Sequence, residues 1–178
     1  MSLSELNRVE YEVLRATIRD RGTARLVAVV VGVAAWASLA VALRLIDHSG
    51  AVTLVPLLVL AATFEVNFFI HIGVERIGRY LQVFYEERAG SIGWETTAMN
   101  FGAKFPARGL DPLFSVVFFS AGVLNFFNAL ATSELRSGWT LISLAAHLAF
   151  NYRIVRARFI SATQRAIDLD AFRSLANH

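Results

Sequence analysis

The sequence predicts an all-α integral membrane protein of four transmembrane helices with cytoplasmic helical extensions. Three observations lead there. Four apolar runs are long enough for a bilayer, which takes roughly 20 helical residues. The 178 residues are 56% hydrophobic and only 17% charged, with mean hydropathy +0.52. Fifteen of the seventeen basic residues fall on one side of those runs. Closed barrels are the other spanning architecture, but runs such as Leu26 to Leu43 do not alternate as barrel strands must.

The chain reads as a single four-span domain over 1–178, with spans at about 26–46, 51–72, 113–132 and 139–155. An amphipathic N-terminal helix over 3–20 precedes them. Ser2 and Glu5 have capping-box spacing, acids precede bases in the order that suits a helix dipole, and Leu6, Val9, Val13, Leu14 and Ile18 form one stripe. Gly22 and Thr23 then permit a bend. The first apolar run follows 25 residues that include Glu5, Glu10, Glu12 and Asp20, a poor match to a signal peptide.

Span two continues in helical periodicity to Arg88, through Val74, Ile77, Leu81 and Phe84. Span four continues into a C-terminal helix over about 156–175, with Phe159, Ala162, Ala166, Leu169 and Phe172 on one stripe. Residues 89–110, punctuated by four glycines and Pro106, predict an irregular interfacial loop. Asp111 and Pro112 then read as N-cap and first position of span three. The connections 47–50 and 133–138 are too short for an external domain.

The basic residues precede span one, lie between spans two and three, and follow span four; Arg44 and Arg136 stand alone opposite them. The positive-inside rule places both termini in the cytoplasm, and the expected location is a bacterial inner membrane. Candidate anionic-lipid contacts in this collar are Arg25, Arg76, Arg79, Arg153 and Arg156. No motif makes the collar a nucleic-acid surface.

Polar side chains at bilayer depth face partners or water. Here they are Glu65, Asn67 and His71 in span two, Asn125 and Asn128 in span three, and His147 and Asn151 in span four. Counting about 1.5 Å per residue puts Glu65, Asn125, His147 and Asn151 in one layer near the midplane. Three readings compete for it: hydrogen bonds that fix helix packing, a proton or ion path, and a metal site. A haem held by His71 and His147 fails, because their depths differ by about 15 Å. Asn67, His71 and Glu75 share one helix face, either a path or a packing surface for the N-terminal helix, and Glu75 is expected to pair with Arg79. Ala34, Ser38 and Ala42, and Ala28 with Gly32, form small-residue series that allow close helix packing.

Zero cysteines exclude thiolate metal sites and disulfides, and no Walker, dinucleotide, HExxH or GxSxG motif is present. Glu95 and Thr96 lack a companion acid or histidine at fixed spacing. No catalytic residue, metal ligand or cofactor is expected. The leading expectation is a non-enzymatic membrane scaffold, homo-oligomeric or a subunit of a membrane complex, that binds partners through its cytoplasmic helices. The alternative is an oligomeric proton or ion channel lined by the polar layer.

Overall fold

A computed structural model describes residues 3–46, 50–90, 92–104, 112–132 and 138–177, and among them all regular structure is helical. The elements are α1 (Leu3–Ile46), a 3-10 turn (Gly50–Thr53), α2 (Leu54–Leu81), a π-helical turn (Gln82–Glu87), α3 (Trp94–Lys104), α4 (Pro112–Thr132) and α5 (Gly138–Ala176). Among the described residues two helical stretches, Glu5–Ile46 and Ala51–Glu87, are long and apolar enough to cross a bilayer, and Ser115–Ala131 is a shorter apolar one. The connecting residues 47–49 and 133–137 and the Asp111 cap lie outside the described residues.

Local sequence explains most of these boundaries. Glu5 in the first turn of α1 and Arg44 in its last complement the helix dipole. Pro56 sits in the first turn of α2, where its missing N–H has no intrahelical partner to lose. Gly90, at φ 61°, lies in the turn after the π-helical segment, in the left-handed region that favours glycine, and its N–H donates to the Glu87 carbonyl at 3.1 Å. Nothing between Trp139 and Ala176 is Gly or Pro, so α5 runs unbroken for 39 residues.

Two expectations are corrected. Gly22 and Thr23 do not interrupt α1, which is one helix of 44 residues. The Thr23 hydroxyl donates to the Arg19 carbonyl one turn back, satisfying the side chain within the helix. The stretch 89–110 is not wholly irregular either, since it contains α3, whose start is fixed by a distant carboxylate described below.

The chain divides into two compact units. The first comprises Met1–Arg25, Phe69–Leu110 and Ile160–His178, the second Leu26–Phe68 and Asp111–Phe159. The first unit buries Leu81 and Val83 and joins its helices through an aromatic cluster. Tyr80 stacks on Phe84 at 4.7 Å and meets Phe172 edge-on at 5.7 Å, while its hydroxyl donates to Glu10 at 2.8 Å.

The second unit has a core of Leu60, Phe64, Phe118, Phe150, Ile154 and Ala157, with the Phe64 and Phe118 rings edge-to-face at 5.4 Å. Its polarity is inverted relative to a water-soluble bundle. Leu58, Val30 and Leu141 are 70%, 69% and 67% exposed, whereas Asn67, Asn125, Ser143 and His147 are buried. Gly32 of α1 packs against Thr63 of α2, so the Ala28 and Gly32 series serves a contact within this chain; a Cβ built on Gly32 overlaps the Thr63 side chain. Ala34, Ser38 and Ala42 are exposed. Gly32→Ala is therefore expected to cost about 1 to 3 kcal/mol through overpacking. Thermal unfolding in mild detergent should show the loss, and adding Thr63→Ala should recover part of it.

Candidate functional site

In the second unit, Asn125 of α4 is the centre of the polar layer. Its Oδ1 accepts from the Trp36 indole N–H at 3.1 Å, and its Nδ2 donates to the Thr53 carbonyl and to His147 Nε2, each at 2.9 Å. An indole can only donate and a backbone carbonyl can only accept, so these two partners fix which way the amide points. The imidazole follows from that. With Nε2 accepting from Asn125, the proton sits on Nδ1, which donates to the Ser143 carbonyl at 2.7 Å. Every polar atom at the centre thus has a partner of the right kind. One side chain ties α1, the turn before α2, and α5 to α4.

The other expected members stand elsewhere. Asn151 lies one turn beyond His147 on α5, donating to the His147 carbonyl at 3.0 Å. Its Oδ1 is buried without a hydrogen-bond partner and closes against Gly122. Asn67 is fully buried and Asn128 half-buried. Glu65 is half exposed and binds Arg153 at 2.8 Å, away from Asn125 and His147. Arg153 also lies over the Phe68 and Phe64 rings, 4.7 and 5.6 Å from their centroids. Arg153, expected as an anionic-lipid contact, therefore also has a partner within the chain.

In the first unit, a chain of charges joins α1, α2, α3 and α5. Glu95 accepts from Arg15 at 2.9 Å and from Arg79 at 3.3 Å. Arg79 also donates to Gln82 at 2.7 Å, Gln82 to Glu87 at 3.3 Å, and Glu87 takes a forked pair of bonds from Arg173 at 2.6 and 3.2 Å. Arg79 is 4% exposed, so it is not a lipid contact, and the expected Glu75–Arg79 pair is replaced. Glu75 binds Arg165 at 2.7 Å, and His71 meets the Ser161 hydroxyl at 3.1 Å, so these two residues of α2 contact α5. Arg76 pairs with Asp168 yet stays half exposed; Arg25 is half-buried and Arg156 exposed. A Cβ on Gly78 would come 2.7 Å from Glu95, so the bare backbone there admits the carboxylate.

Glu86, buried in the π-helical turn, holds the start of α3. Its carboxylate accepts from the backbone N–H groups of Glu95 at 2.9 Å and Thr96 at 2.8 Å, and from the Thr96 hydroxyl at 2.7 Å. These are first-turn amides that the helix itself cannot satisfy. The sequence does not reveal this cap, because the capping residue precedes the helix by eight positions and reaches it only through the wide turn.

The two carboxyls respond oppositely to their surroundings. Burial pushes Glu86 up, but the Thr96 hydroxyl, the two backbone N–H groups and Arg15 outweigh it and hold Glu86 below its ordinary value. Burial pushes Glu95 up, and Arg79 and Arg15 do not fully offset it. A lowered native carboxyl stabilises the fold above its unfolded value and loses that contribution as pH falls through the native one. The Glu95 contribution runs the other way, lost as pH rises through its raised value. Thermal stability in mild detergent, followed from pH 7 to 3, should therefore show an acid loss that Glu86→Gln reduces, the rest coming from carboxyls such as Glu87, which the Arg173 guanidinium also holds low. Glu86→Ala should cost about 1 to 2 kcal/mol at neutral pH, as lost helix caps do.

Among the described residues no group of three His, Asp or Glu side chains is placed to hold a metal ion. No family model, curated protein or solved structure matches the chain.

Proposed function

We propose that this chain is a non-enzymatic multi-pass membrane protein that crosses the cytoplasmic membrane four times and acts as an oligomeric scaffold or partner-binding subunit through its cytoplasmic helices. The inverted second unit carries this reading. A surface of Leu58, Val30 and Leu141 around a polar centre suits hydrocarbon as solvent and would be a severe liability in water. The spans are then 26–46, 51–72, 113–132 and 139–155, with the basic residues and both termini on the cytoplasmic side.

The first unit supports the scaffold reading. Its helices are cross-tied by ion pairs, yet Ile92, Trp94 and Phe101 are 83%, 68% and 47% exposed on and beside α3, an apolar face that suits a protein contact. The chain has no cysteine, so single introduced cysteines report cleanly. Impermeant maleimide added to intact cells should label Ser49→Cys and Ser137→Cys and spare Asn7→Cys and Ser174→Cys. A cross-linked dimer of Trp94→Cys in membranes, absent for a cysteine at exposed Arg156, is the expected sign of association through α3. Monomer at every concentration in light scattering, with no cross-link, would remove self-association.

The channel reading is the alternative, and it needs a wetted polar layer. The bonds around Asn125 support packing instead, since they leave His147 neither a free donor nor a free acceptor. In liposomes under an imposed proton or ion gradient, wild type and Glu65→Gln should be equally silent.

A further inference from the structure

Glu65 of α2 and Arg153 of α5 bind each other at 2.8 Å, and half of the Glu65 side chain and a third of the Arg153 side chain stay open on the surface of the second unit. Glu65 is 12 residues from Thr53, about 18 Å of helix in a hydrocarbon core of roughly 30 Å. At that depth lipid offers neither hydrogen bonds nor screening, and pairing the two charges with each other does not repay the loss of water from their open sides. Arg153 does not escape by reaching for the headgroups, because its guanidinium is held on Glu65 and over the Phe68 ring, 4.7 Å from the centroid. Protein, unlike lipid, can cover such a pair with charges of its own. The same face is shaped for a close contact. An open groove of about 320 Å³ beside the pair lies between Leu58 and Ala61 of α2 and Ala146 of α5. Ala62, close before Glu65, and Ala145 and Ala149, two turns and one turn before Arg153, are exposed, so another helix can approach the backbone there.

We propose that this face joins two copies of the chain inside the membrane about a two-fold axis along the bilayer normal, with Glu65 of each copy against Arg153 of the partner subunit. The inference rests on the membrane reading above and gives the scaffold a contact independent of α3. Charge complementarity names the occupant. Such an axis keeps every residue at its own depth, so a face bearing one acid and one base side by side meets the same two charges in reverse order. Each carboxylate then lies between two guanidiniums and each guanidinium between two carboxylates, a closed neutral ring with no charge left toward lipid. A partner of another sequence would need a matched acid and base at that depth, and this chain supplies them itself. Shape agrees with charge. Leu58 is 70% exposed and enters the alanine-walled groove of the other copy, whose own Leu58 does the same in return.

The test combines two variants that each lose the contact alone. A chain with Glu65→Arg presents two cations on this face, and a chain with Arg153→Glu presents two anions. Differently tagged copies of either variant should co-purify from mild detergent about tenfold less than wild-type copies, because like charges then face one another. Expressed together, the two variants should recover wild-type co-purification, since two cations meet two anions. That recovery reports contact between chains, because neither chain keeps its internal pair. Disulfide capture in membranes probes the same face with the pair intact: Leu58→Cys should give a dimer, and Phe127→Cys, exposed on α4, should not. Wild-type copies that never co-purify overturn the proposal, as do variants that associate like wild type, a mixed pair that stays apart with both chains inserted, or a Leu58→Cys chain that captures a different protein or nothing. Should either charge variant fail to insert, the Leu58→Cys capture decides alone. If wild type leaves the membrane in alkaline carbonate, the membrane reading itself fails; if it stays and gives no dimer through Leu58→Cys, only this interface fails.

Discussion

Arg79→Ala is expected to cost about 3 kcal/mol of stability, the lower end of what breaking a buried ion pair costs. Arg79 is 4% exposed and Glu95 12%, so water cannot replace the lost guanidinium. The effect stays at the lower end because Glu95 keeps Arg15 at 2.9 Å. Gln82 loses its acceptor role to Arg79 at the same time, which loosens the π-helical turn that carries Glu86. Amides at the start of α3 should accordingly exchange faster, although Arg79 does not touch them. A double variant, Arg79→Met with Glu95→Gln, removes both charges and should recover much of the loss, because neither side chain carries the desolvation cost of a charge. Denaturation in mild detergent of the wild type, both single variants and the double variant measures the coupling directly. Equal losses for Arg79→Ala and for Arg76→Ala, whose pair with Asp168 is half exposed, would show that the buried network contributes no more than a surface bridge.

The network around Arg79 marks where sequence reading stops. Periodicity exposes helices because a 3.6-residue repeat is written into the chain, and the all-helical architecture and the extension of α2 past Ile72 were legible in that way. α3 was not, because its sequence holds Gly102 near its end and starts beside Gly93, and its anchor is Glu86, a residue on another element. Glycines near α1 misled in the opposite sense. Gly22 has nothing within 4 Å and simply continues the helix, whereas Gly32 and Gly78 are set by what touches them. Ion-pair partners follow the same rule. Spacing of four offered Glu75 to Arg79, but tertiary contacts gave each a closer partner on another element.

The polar layer was half legible for a related reason. Counting rises along helices of opposite direction placed Asn125 and His147 at one depth, and they do bond. Depth alone says nothing about azimuth, so the same count grouped Glu65 with them while its side chain leaves toward Arg153. Trp36 was overlooked, although an indole N–H in the middle of an apolar run always needs an acceptor. Ser143 lies four residues before His147 and offers its carbonyl to the ring, a relation that helix geometry alone supplies.

Asn125 separates packing from conduction experimentally. Asn125→Leu removes three hydrogen bonds to Trp36, Thr53 and His147, and interhelical bonds of this kind average about 0.6 kcal/mol each, so a loss of about 2 kcal/mol is expected. Asn125→Asp keeps the volume but, when ionised, turns a donor into an acceptor facing the Thr53 carbonyl and His147 Nε2. It should therefore be less stable than Asn125→Leu, even though leucine is the larger chemical change. Stability in that order, with no ion flux in any of the three proteins, is what a bundle held together by a satisfied amide requires. A conduction path predicts the reverse ranking of function, with the carboxylate raising cation flux and leucine abolishing it. The two variants occupy the same site, one without any polar atom and one with a charge, so flux and stability measured side by side assign the layer to one role.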